Sequence, residues 1–93
     1  MSDITLGIIG GGQLGSMMAI AAKKLNIKTV IFCDDGDAPA QNFCNKFIYG
    51  NYNDNEKIAE FVKITDIVTF EFENIPFETL NEINKFKPVL PKP

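Results

Sequence analysis

Histidine and arginine are both missing from this 93-residue sequence, and cysteine occurs only twice. With no histidine, and with Cys33 and Cys44 outside any CxxC spacing, zinc ligation and a Cys-His nucleophile pair are excluded within the chain. The two thiols read as reduced, cytosolic cysteines. With no arginine, all nine basic residues are lysines, so a bidentate fork for phosphate or carboxylate has to come from another chain segment. Twelve Asp and Glu leave a net charge of −3, which makes a basic face, and therefore a nucleic-acid partner, a poor expectation. Long apolar runs are missing too: none approaches the roughly 18 residues of a membrane span. The opening MSDITLGIIGGG has no basic region followed by a long apolar stretch. No membrane partner is expected, and a cytoplasmic location follows by default.

What remains is 45% hydrophobic and 23% charged, the balance of one soluble globular domain. A chain of this length buries somewhat over about 60% of its unfolded surface, enough for a core without disulfides or metal. Residues 1–90 read as one domain, and Pro91-Lys92-Pro93 as the start of a linker.

The apolar run Thr5 to Ile9, closed by three glycines, predicts a strand buried on both faces. A helix follows over Gln13 to Leu25, with Leu14, Met17, Met18, Ala21 and Leu25 expected on its packed face and Asn26 as its stop. Thr29 to Cys33 is β-branched and aromatic, hence a second strand, ended by the turn residues Asp34-Asp35-Gly36-Asp37. Pro39 opens a short helix through about Asn45, and Phe47 to Tyr49 is a brief third strand before a polar loop over 51–55. Ile58, Phe61 and Val62 mark a helix over Glu56 to Lys63, and Asp66 to Phe72 a fourth strand. Pro76 begins a last helix with Phe77, Leu80, Ile83 and Phe86 roughly on one side, and Pro88-Val89-Leu90 is extended. The alternation implies right-handed crossovers and an α/β fold: a three-layer, Rossmann-like domain whose mainly parallel sheet has four or five strands, ordered 3-2-1-4.

Gly10-Gly11-Gly12-Gln13-Leu14-Gly15 satisfies GxGxxG between a strand and a helix, the context that gives the pattern meaning. Residues without Cβ let the backbone turn tightly, and the free N–H groups and dipole of the helix start favour an anion, with phosphate the natural guest. Asp34 closes the second strand near the spacing of a ribose-binding acid, which alone suggests NAD. Glu71 and Glu73 point the other way. They alternate in FEFEN, so they share one side of the fourth strand near its carboxyl end, beside the topological switch point. Paired carboxylates there suit a ribose hydroxyl or an amine better than a pyrophosphate.

GIIGGGQLG, MMAIAA, the D-x-x-x-A-P-A stretch Asp34 to Ala40 and FEFENIP, taken in order, resemble the amino-terminal, pre-ATP-grasp domain of the 5-(carboxyamino)imidazole ribonucleotide synthetase family. The resemblance spans nearly all of the chain, and TFEFENIP is its most distinctive piece. It implies an ATP-grasp ligase of purine biosynthesis that uses ATP, Mg²⁺ and bicarbonate to carboxylate the exocyclic amine of aminoimidazole ribonucleotide. It also implies that ATP, the metal ions and the catalytic groups belong to domains absent from this chain, which alone is inactive, and that the whole enzyme is a homodimer. By position, Gly12, Gln13 and Leu14 would line the substrate, Glu71 would accept hydrogen bonds from its ribose or amine, and Glu73 and Asn74 would assist. Gly10, Gly11 and Gly15 would shape the turn, while Asp34 is given a loop-ordering role through Asx-turn chemistry. Relatives commonly carry a basic residue where this chain has Ser16, so a charge-assisted contact of about 1.5–3 kcal/mol is missing there.

Three other readings share some of these features: a formate-dependent glycinamide ribonucleotide transformylase, which would use a similar turn and acids; a free-standing NAD-binding module keyed on Gly12 and Asp34; and a fragment that only binds a partner. Met17 and Met18 are expected in or beside the helix packing, and Cys33 and Cys44 as inert buried thiols.

Overall fold

The structure, a computed structural model, describes residues 3–71 and 75–93. Strand β1 (Thr5–Ile9) lies inside a parallel sheet between β2 (Lys28–Cys33) and β4 (Ile67–Phe70), and β3 (Lys46–Tyr49) adds to the far side of β2, giving the order β3-β2-β1-β4. The β1 register runs from Thr5 opposite Lys28 to Ile9 opposite Phe32, and on its other side from Leu6 opposite Ile67 to Ile9 opposite Phe70. β1 and β2 read as continuous apolar runs because both sheet faces are covered. Successive residues divide between two cores: Ile8 and Ile31 on one face, Ile9 and Phe32 on the other.

The first face is covered by helix α1 (Gln13–Lys24) and a 3-10 turn at Pro39–Asn42. The second is covered by α2 (Asn55–Ile64) and α3 (Phe77–Asn84). α2 begins where Asp54 caps it, its carboxylate accepting from the N–H groups of Glu56 and Lys57 at 3.0 and 3.3 Å. α1 stops at Asn26, which holds the left-handed conformation (φ 61°) that asparagine tolerates.

The expected topology is present, and three details differ. The buried side of α1 is Gly15, Ser16, Ala19 and Ala22, while Met17 is 59% exposed and Leu25 69%. Small residues let the helix lie close on the sheet, which turns the larger apolar side chains outward. In α3, Leu80 and Ile83 are buried as expected, but Thr79 joins them while Phe77 is exposed, as is Phe86, which lies beyond the end of the helix. The expected helix through Asn45 ends at Asn42, so Cys44 sits in the bend that follows.

The possible fifth strand amounts to one parallel bridge, Val68 to Val89, held by hydrogen bonds from Val68 N–H to the Pro88 carbonyl (2.9 Å) and from Leu90 N–H to the Val68 carbonyl (2.8 Å). Proline at 88 and 91 denies that segment further ladder donors. Among the described residues, no helix is long and apolar enough to cross a membrane.

Candidate functional site

The glycine turn follows β1, and Glu71 follows β4, so the two meet across the switch point between neighbouring strands whose connections leave in opposite directions. Each remains tied to the sheet: Gly10 N–H donates to the Phe32 carbonyl at 2.8 Å, and Glu71 N–H to the Ile9 carbonyl at 2.9 Å. Ala40 N–H donates to the Gly11 carbonyl at 2.9 Å, which fastens the 3-10 turn to the same loop.

Gly10 adopts φ +105°, open in practice only to glycine, and a Cβ there would come within 2.8 Å of Glu71 Oε2. The Glu71 side chain lies across the turn, and its Oε1 accepts from Gly15 N–H at 2.6 Å. Gly15 itself packs so closely that an added Cβ would stand 2.5 Å from the Gly10 carbonyl oxygen. Gly12 is the N-cap of α1, which has neither a side-chain cap of its own nor an acidic residue in its first turn. Among the described residues, the N–H groups of Gln13 and Leu14 find no acceptor.

A cleft of about 170 Å³ opens at these strand ends, lined by Gly10, Gly11, Gly12 and Glu71 on one side and by Cys33, Asp34 and Tyr52, among others, from β2 and the loop before α2. The structure therefore brings together Gly10, Gly11, Gly12, Asp34 and Glu71, five of the candidate residues named in the sequence. Gly15 contributes through its N–H, while Gln13 and Leu14 are exposed on the first turn of α1, outside the cleft lining. Glu73 and Asn74 lie outside the described residues. The Asx turn expected of Asp34 belongs to its neighbour: Asp35 Oδ1 accepts from Asp37 N–H at 2.9 Å, while Asp34 borders the cleft. Ser16 is buried, and its hydroxyl donates to the Gly12 carbonyl at 3.0 Å, so this position serves helix packing.

Tyr52 was not among the expected site residues. It is an aromatic residue within a polar Asn-rich loop, and that contrast was its one sequence signal. Its ring meets Phe32 edge-on at 5.4 Å. Burial, followed by the neighbouring Cys33 thiol, pushes its phenol far up from the ordinary tyrosine value. Burial likewise pushes the Cys44 thiol up, which keeps it protonated and a weak nucleophile. A larger concavity, about 550 Å³ between α2 and α3, is lined chiefly by Ile58, Ala59, Val62 and Phe86, with Lys63 and Glu82 as its charged groups. It belongs to the second face of the sheet and has no converging polar groups of the kind found at the strand ends.

Residues 3–93 match the model of the ribonucleotide synthetase preATP-grasp domain family. An N5-carboxyaminoimidazole ribonucleotide synthase of Staphylococcus epidermidis is 42% identical over 81 residues, which are 87% of this chain and 22% of that protein. The crystal structure of the N5-carboxyaminoimidazole synthetase of Staphylococcus aureus complexed with ADP superposes with a TM-score of 0.86 at 36% identity, covering 94% of this chain and 24% of that one. The Aspergillus clavatus synthase, solved with ADP and 5-aminoimidazole ribonucleotide, gives a TM-score of 0.77 at 28% identity over 92% of this chain and 23% of its own. The chain thus spans about a quarter of the length of these relatives. By its sequence match, its sheet order and its glycine turn, the chain belongs to the ribonucleotide synthetase preATP-grasp domain family.

Proposed function

We propose that this chain is the substrate-binding, amino-terminal part of a cytoplasmic, homodimeric ligase that uses ATP and bicarbonate to carboxylate 5-aminoimidazole ribonucleotide. The observation that carries this reading is the cleft at the switch point, where a glycine turn and a carboxylate converge in a chain whose family match covers residues 3–93. Gly12, Gln13 and Leu14 would face the nucleotide with backbone donors. Glu71 would accept from a ribose hydroxyl or the exocyclic amine through Oε2, the oxygen that Gly15 leaves free, with Glu73 and Asn74 beside it. ATP and Mg²⁺ would be bound by other parts of the protein, as the family resemblance implies; among the described residues no group of three His, Cys, Asp or Glu side chains is placed to hold a metal ion.

The alternative of a glycinamide ribonucleotide transformylase is disfavoured by the names of the relatives, which concern aminoimidazole carboxylation. The test follows the reading frame past codon 93, purifies the whole product and measures ADP release. Release that depends on both aminoimidazole ribonucleotide and bicarbonate is expected. Release driven instead by glycinamide ribonucleotide and formate would replace this reading with the alternative.

A further inference from the structure

We infer that Glu71 is the resident anion of the glycine turn: its carboxylate occupies the seat in which the glycine-rich turns of dinucleotide-binding folds hold a phosphate, and it makes this domain selective against phosphate at that point. The α1 start has the usual attractions for an anion, namely N–H groups without intrahelical partners and the positive end of the helix dipole. The helix supplies nothing of its own to answer them, having a glycine at the N-cap and no acid in its first turn. The answer comes from 56 residues away, in the 2.6 Å hydrogen bond from Gly15 N–H to Glu71 Oε1, at the short end for a charge-assisted bond.

The same carboxylate comes within 3.3 Å of the position a Cβ would take at each of Gly10, Gly12 and Gly15. The absence of side chains at these three positions is thus what makes room for Glu71. A phosphate entering the turn would have to displace a negative charge that is already hydrogen-bonded, and no arginine is available in the chain to offset the repulsion. Glu71 is on this account a specificity-determining residue, and the assignment stands on the turn geometry whether or not the ligase reading holds.

The experiment titrates the labelled chain with inorganic phosphate at neutral pH and follows the amide signals of Gly10 to Gly15 by proton–nitrogen correlation. The wild-type turn is expected to show no saturable change, while Glu71→Ala, with the seat vacated, binds phosphate there about tenfold more tightly or better, in line with the attraction of an open helix start. Saturable phosphate binding at the wild-type turn, or no gain in a folded Glu71→Ala, overturns the inference. Glu71→Gln keeps the shape of the side chain and removes its charge, so it serves if the alanine variant does not fold. The Gly15 amide proton should then move upfield, as a charge-assisted bond becomes a neutral one, and an unmoved Gly15 signal would equally overturn it. Failure of the ligase reading shows up separately, as whole protein that releases no ADP in response to aminoimidazole ribonucleotide.

Discussion

Gly15 shows how one atom can outweigh a general preference. Alanine is the better helix former by roughly 1 kcal/mol, so replacing a glycine inside α1 would ordinarily stabilise it. Here the new methyl would stand 2.5 Å from the Gly10 carbonyl oxygen, which is backbone and cannot swing away, and 3.2 Å from Glu71 Oε1. Overpacking of this kind typically costs about 1–3 kcal/mol, more than the propensity returns. Gly15→Ala should therefore lower the midpoint of urea unfolding and displace the Glu71 contact. An equal or higher midpoint would mean that the turn relaxes freely, and that its tight packing on Glu71 has no energetic consequence.

At the scale of elements, the strands could be read from sequence and the facing of α1 could not. Thr5–Ile9 and Lys28–Cys33 announce themselves because strands covered on both faces must be apolar throughout, whichever way each residue points. A helix is read from its large apolar residues, and α1 hides its contact surface in Gly15, Ser16, Ala19 and Ala22, which carry little hydrophobic signal. The Glu71 contact was half legible: alternation placed the carboxylate at the strand end, but a bond across 56 residues depends on two strand registers that no local pattern encodes. The helix orientation is testable by contrast. Met17→Lys should change stability by no more than about 0.5 kcal/mol, as at other exposed sites, whereas Ala19→Leu, at a fully buried position on the sheet, should cost about 1–3 kcal/mol. The opposite ranking in denaturant melts would restore the face built on Leu14, Met17 and Leu25.

Across the whole molecule, the two cores share one sheet, and Tyr52 joins the functional edge to the larger of them. Its ring packs on Phe32, its carbonyl accepts from the buried Thr79 hydroxyl of α3 at 2.7 Å, and it lines the cleft shared by Cys33 and Glu71. Burial holds its phenol protonated far above the ordinary tyrosine range. In the unfolded chain that group releases its proton near pH 10. Above that pH the unfolded state binds fewer protons than the folded one, so stability falls as pH rises; below it both states are protonated and the contribution is fully present. One such group lowers stability by about 1.4 kcal/mol for each pH unit between its unfolded and folded values. Tyr52→Phe removes the ionisable group while keeping the ring, so its stability should decline less steeply than that of wild type from about pH 10 upward. Parallel declines, measured by denaturant unfolding at a series of alkaline pH values, would mean that Tyr52 ionises as readily in the fold as outside it. The phenol would then have to reach solvent through the cleft, and the link between the functional edge and the core would be looser than the packing on Phe32 implies.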